Sequence, residues 1–318
     1  MKTLKLLFGL ILIGTLTTSC YTEVVVEDEY IEEPGITLGE MLTSHDLWYV
    51  NIHQTEGNGE VPFLQKAFTI SFDYGVFRAN NNLVGFGSTA NGLGIDVGYY
   101  DTFQTTLEVD HDLDGVWRME VIQLSSNKIE LYHRGTDTSY FLTGYQTNNF
   151  DYDYVFYDNI HYFLQEYDVW EKTYASEDGE LNLFDDENFL SFLANGNDTF
   201  LSSIDNVDTP IHNIQWDYEG VYTIYDVPND HYVKTLTLDY DGLDNDYFEV
   251  VVIDDRTIEL FHPSSGTVYE FSGRGYIEYL RNSDENKKTN TSRKRKKIIN
   301  KTMDVQRKSE RKKIKLVS

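Results

Sequence analysis

The segment Asp110-His111-Asp112-Leu113-Asp114-Gly115 places carboxylates at its first, third and fifth positions and a glycine at its sixth, the opening of an EF-hand calcium loop. Val121 stands at the twelfth position, where a bidentate glutamate closes such loops, and Arg118 at the ninth. Weak calcium binding through Asp110, Asp112 and Asp114 is the most this pattern predicts. His133 and His262 are the second feature with chemical potential. Each ends an apolar–polar alternation, Ile129-Glu130-Leu131 and Ile258-Glu259-Leu260, which turns the imidazole inward near a strand end and marks both histidines as candidate pocket residues. The chain has no Gly-x-Ser-x-Gly elbow, no Gly-rich phosphate loop and no Cys/His metal cluster. A non-catalytic protein with no cofactor beyond weak calcium is expected.

Cys20 is the only cysteine, so an internal disulfide is excluded. It follows Lys2, Lys5, an apolar run from Leu6 to Leu16, and the small residues Thr17, Thr18 and Ser19, the layout of a secretory signal. The apolar run is too short to cross a bilayer, which takes about 20 residues. Leu16-Thr17-Thr18-Ser19-Cys20 resembles the lipobox of bacterial lipoproteins, with Thr17 where that family has leucine. The resemblance implies removal of residues 1–19 and a lipid anchor, palmitate included, on Cys20. Glu23, Glu27, Asp28, Glu29, Glu32 and Glu33 crowd the start of the mature chain, and residues 20–44 read as an acidic tether. This is similar to the export signal of surface lipoproteins in the Bacteroidetes, which implies the outer membrane with exposure at the cell surface. The periplasmic face is the alternative.

The chain carries a net charge of −27, but residues 281–318 are at +11 and the signal at +2, leaving residues 20–280 at −40. Such a body repels nucleic acid. The tail at 281–318, with Arg293 to Lys297 and no aromatic residue, is expected to be disordered and able to contact anionic lipid or lipopolysaccharide.

About 235 residues remain between tether and tail, and they repeat. At an offset of 129, residues 119–144 and 248–273 share nine identities in 26, including His133/His262, Tyr140/Tyr269 and Gly144/Gly273. Asp46-Leu47-Trp48 answers Asp168-Val169-Trp170, and Ile70-Ser71-Phe72 answers Leu190-Ser191-Phe192. The repeated segments alternate with a period of two, and Tyr and Phe number 42 against five prolines, a composition for antiparallel strands closed into barrels. Ile160, Phe163, Leu164 and Tyr167 fall three or four apart and predict a helix between the copies. The expected fold is mainly β: two tandem antiparallel barrels, 45–145 and 167–280, joined by a helical connector at 146–166.

The early tryptophan strand, Phe68 to Phe72 leading into a turn, Gly98-Tyr99-Tyr100 and Gly220-Val221-Tyr222, and the late hairpins resemble the lipocalin-like domain of bacterial lipoproteins. Asp46 and Asp168 stand where true lipocalins have the glycine of Gly-x-Trp. The whole chain also resembles a group of flavobacterial lipoproteins, through Val24-Val25-Val26-Glu27-Asp28 and His262-Pro263-Ser264-Ser265-Gly266. Some of that group are labelled nicotinic acid mononucleotide adenylyltransferase. That chemistry needs a His-x-Gly-His turn, and none of the eight histidines lies two to four residues from another. The expected function is a membrane-anchored envelope module that binds an unknown envelope or extracellular partner. A carrier of a small apolar ligand is the alternative, and an enzyme the remote one.

Overall fold

Each repeat closes into its own antiparallel barrel of eight strands, as the alternation predicts. The computed structural model describes residues 36–85, 93–279, 293–298 and 301–302; the signal, Cys20, the acidic run after it and the rest of the basic tail lie outside these. Barrel 1 runs β1 (Leu47–Gly57), β2 (Thr69–Asp73), β3 (Val76–Asn80), β4 (Ile95–Phe103), β5 (Thr106–His111), β6 (Gly115–Ser125), β7 (Lys128–His133) and β8 (Thr138–Tyr145). Barrel 2 runs β9 (Tyr167–Ala175), β10 (Phe189–Phe192), β11 (Thr199–Ser203), β12 (Tyr218–Val227), β13 (Asp230–Tyr240), β14 (Asn245–Asp254), β15 (Thr257–His262) and β16 (Thr267–Tyr276). First and last strands pair to close each ring, with Trp48 opposite Gly144 and Trp170 opposite Gly273.

The repeat begins earlier than the tryptophan strand. Residues 38–43, expected within the acidic tether, form helix α1 (Leu38–Thr43), capped by a reciprocal pair: the Thr37 hydroxyl accepts from Glu40 N–H and the Glu40 carboxylate from Thr37 N–H. Its Leu42 carbonyl accepts the Trp48 indole N–H at 2.9 Å. The connector is two helices, α2 (Tyr152–Asp158) and α3 (Ile160–Leu164), and α3 is the counterpart of α1, since its Leu164 carbonyl accepts the Trp170 indole N–H at 2.8 Å. The expected boundaries at 45 and 167 therefore cut through the unit, which is a short helix plus a barrel. A buried indole N–H needs an acceptor, and a helix C-terminus supplies a carbonyl with no intrahelical partner.

Loops close the barrels from within. Phe63 and Leu64, between β1 and β2, are fully buried, and Phe63 stacks on His111 at 5.4 Å. In barrel 2 a 3-10 turn at Leu183–Asp186 places Phe184 against Phe248 and Tyr269. Together with Phe77, Leu131 and Tyr140 in one barrel and Leu236, Leu260 and Phe271 in the other, all nearly or wholly buried, these side chains fill the interiors.

The expectation of a disordered tail fails for residues 293–298. They run extended between the barrels, with Arg293, 4 % exposed, and Arg295, 0 %, turned in and Lys294, Lys296 and Lys297 turned out. Lys301–Thr302 (β17) then pairs parallel with Tyr225 and Asp226 of β12. The reason is electrostatic: Glu166, fully buried at the end of α3, requires a cation, and Arg293 meets it at 3.2 Å.

Candidate functional site

His133 and His262 do occupy equivalent places, but each imidazole is tied to its own turn. His133 Nδ1 lies 2.8 Å from the Thr136 hydroxyl and His262 Nδ1 2.8 Å from that of Ser265. His262 also faces Asp246 at 3.6 Å and packs on Phe248. Neither lines a cleft described below. They pin the β7–β8 and β15–β16 hairpins, His262 buried and His133 half-buried.

Asp110, Asp112 and Asp114 lie at the end of β5 and in the tight turn that follows it. Asp110 sits on β5 opposite Val116, and a three-residue turn returns the chain at Gly115, whose φ of 75° suits glycine. Asp114 faces Lys66 at 3.4 Å and His111 Nδ1 at 3.4 Å. Among the described residues no three His, Cys, Asp or Glu side chains gather in a metal-holding group. The hairpin closes after three residues, so the ligands that an EF-hand draws from positions seven to twelve lie in a strand.

Sequence patterning missed the charged cluster inside barrel 2. Lys172 of β9 is 9 % exposed and donates to the Asp185 carbonyl at 2.7 Å; burial pulls its ammonium down to about 8. Glu187 is 4 % exposed and accepts from the hydroxyls of Ser202 and Tyr240, yet burial pushes its carboxyl up to about 7. The backbone fixes the equivalent places in barrel 1. Val50 N–H donates to Phe68 as Lys172 does to Asn188, and Phe68 donates to Asn80 as Asn188 does to Ser203. Val50, Ala67, Ala79 and His111 thus stand where barrel 2 has Lys172, Glu187, Ser202 and Tyr240. One signal was available: Lys172 lies two residues after Trp170, so strand alternation turns it to the same inner face.

Among the described residues, clefts lie outside the barrel interiors, and two of them stand out. The smaller, about 230 Å³, opens at the mouth of barrel 2 against barrel 1. His161 stacks on Tyr222 at 5.0 Å there and faces Asp198 at 3.4 Å, while Lys234 pairs with Asp226 and Ile298 supplies one wall. Each charge in it already has a protein partner. The larger, about 600 Å³, is an open groove on barrel 1 between α1, the β2–β3 turn and β4. Phe72 and Tyr100 meet edge to face at 4.9 Å in its floor. Tyr74 stands fully exposed at its rim, held by a turn in which Tyr74 (φ 46°) and Gly75 (φ 88°) both have left-handed backbone. Asp46, Asp73 and Asp101 border it, with Arg78 bound to Asp73 and Asp96. Aromatic faces among carboxylates suit a cationic partner with an apolar side, and no arrangement of nucleophile and base appears among the residues lining it. Neither a family model nor a curated protein matches the chain.

Proposed function

We propose that this protein is a lipid-anchored envelope module that binds a cationic partner through the groove on barrel 1, without catalysis. The observation that carries the reading is the filling of both barrels by their own loops, Phe63 in one and Phe184 in the other, which puts open concave surface outside the barrels. The net charge of −40 on residues 20–280 favours approach of a cation. Among the described residues no helix is long and apolar enough to cross a membrane. The outward positions of β4 to β7 mix Asp101, Glu108, Arg118, Glu120 and Glu130 with exposed Tyr99, Phe103, Val116, Ile122 and Leu124, so charges interrupt the apolar belt that a barrel spanning a bilayer carries. Attachment through lipid on Cys20 is in keeping with both features, and any contact of the tail with anionic lipid would use basic residues other than Arg293 and Arg295.

The carrier reading draws on the cleft at the mouth of barrel 2, about 230 Å³. That is smaller than the roughly 300–1,000 Å³ usual for ligand sites. One experiment separates the two. A photo-crosslinking residue at position 74 in living cells is expected to give a discrete adduct, and the same residue at Leu243, exposed on barrel 2, none. No adduct at 74, or an apolar probe taken up inside either barrel, overturns the proposal. Mass spectrometry of the mature N-terminus checks the anchor: acyl chains on Cys20 are expected.

A further inference from the structure

The segment that separates the barrels is held as a peptide is held by a receptor. Both rings close without it, and residues 293–298 add no strand to either. Its main chain is read by side chains of the groove. The Tyr162 hydroxyl accepts from Lys296 N–H at 2.8 Å and donates to Lys296 O at 2.9 Å. Gln65 brackets Arg295, its main-chain carbonyl accepting from Arg295 N–H at 2.8 Å and its side-chain amide donating to Arg295 O at 3.3 Å. His53 Nδ1 accepts from Ile298 N–H at 3.3 Å.

The side chains alternate, and the inward two enter built sites. Arg293 meets Glu166 at 3.2 Å, donates to Asn81 O at 2.6 Å, and lies with its guanidinium 3.7 Å from the Tyr279 ring centre. Arg295 donates to the carbonyls of Ala67, Leu64 and Val50 and to Asn159 Oδ1, over the Phe68 ring at 4.3 Å. The acceptors are positioned without the segment: Leu83 and Val84 N–H bonds of 2.8 Å hold the Glu166 carboxylate. Flat cation sites lined by rings and several carbonyls fit guanidinium forks and not ammonium points.

We infer that the groove between the barrels is a binding site for an extended peptide of the form Arg-x-Arg-x-x-Ile, and that residues 293–298 occupy it as an exchangeable ligand in cis. Removing the two arginine side chains takes away the segment's inward anchors, while the groups that read it belong to other parts of the chain. The test uses the full chain carrying Arg293→Ala and Arg295→Ala, with a fluorescent peptide of residues 291–300 supplied in trans. One-to-one binding to the variant is expected, with little to the wild-type chain, whose groove is filled. Because the acidic body attracts any basic peptide, the control has lysine in place of both arginines and equal charge; it should bind about a hundredfold more weakly. Should the variant be unfolded, the arginine peptide is expected to restore its near-ultraviolet circular dichroism and the lysine peptide not. Equal binding of the two peptides, equal uptake by variant and wild type, or neither binding nor restoration, overturns the inference.

Discussion

Barrels 1 and 2 share a frame down to single hydrogen bonds, while four inner positions, Val50, Ala67, Ala79 and His111 in the first, are Lys172, Glu187, Ser202 and Tyr240 in the second. The shared part is the set of contacts that fixes strand register: an indole N–H on a helix-end carbonyl, a glycine opposite it and a histidine bound to its turn. The free part is what fills the lumen. A lumen tolerates charge where partners meet it, and here they meet it incompletely, since burial outweighs the hydroxyls of Ser202 and Tyr240 and raises the Glu187 carboxyl to about 7. The duplicated frame has let one copy diverge inside without losing its closure.

The comparison is broken most severely at the tryptophans. Trp48→Ala and Trp170→Ala should each cost about 3–5 kcal/mol, through a cavity and an orphaned helix-end carbonyl. Hydrogen exchange resolved by barrel checks this. A cost in one barrel that is less than half that in the other would show that the frame is not equally loaded.

Glu187 sharpens the difference. Its carboxyl is raised from 4.5 to about 7 in the folded state, so its contribution to stability is fully present below pH 4.5 and is lost as pH rises through about 7, on the order of 3 kcal/mol in all. Lys172 acts from the other side: its ammonium is lowered from 10.5 to about 8, so stability is lost as pH falls through about 8. Glu187→Gln keeps an acceptor for both hydroxyls and should stabilise barrel 2 at pH 8 by about 2 kcal/mol, with no matching gain at pH 4. Denaturant midpoints at the two pH values measure it, and an equal gain at both would contradict the assigned cause. Barrel 1, with Ala67 at this place, should show no such dependence.

The smallest effect separates the two closing glycines. A Cβ at Gly273 would lie 2.4 Å from the Tyr167 ring, which is 5 % exposed and anchored by its hydroxyl to Asp255 O. At Gly144 it would lie 2.6 Å from the His45 ring, which borders the open groove and can swing aside. Gly273→Ala should therefore cost about 2 kcal/mol and Gly144→Ala about 1, read from thermal melts.

Much of the frame was legible because its signals are local: Trp48 and Trp170, the alternation through Ile129 and Leu131, and the stripe Ile160, Phe163 and Leu164 each declare a buried face within a few residues, although Tyr167, expected to continue that stripe, opens β9 instead. The buried charges were not. Arg293 and Arg295 sit in a basic run without aromatics, which reads as solvated, and the groups that claim them, Glu166 and the carbonyl of Ala67, lie 127 and 228 positions away. Helix α1 was hidden by acidic neighbours, although Thr37 and Glu40 stand at capping-box spacing. The groove at Tyr74 depends on how α1 meets the β2–β3 turn, a tertiary relation that no single segment encodes.

The inward arginines also set the order of events during folding. Arg295 donates to Val50 across 245 positions, so this contact closes about three quarters of the chain into one loop. Synthesis delivers residues 293–298 after both barrels have every strand they need to close. Docking of the segment is thus a long-range final step, slow by its topology, while the barrels form from neighbouring hairpins. Until it happens Glu166 lacks the guanidinium that Arg293 brings to it.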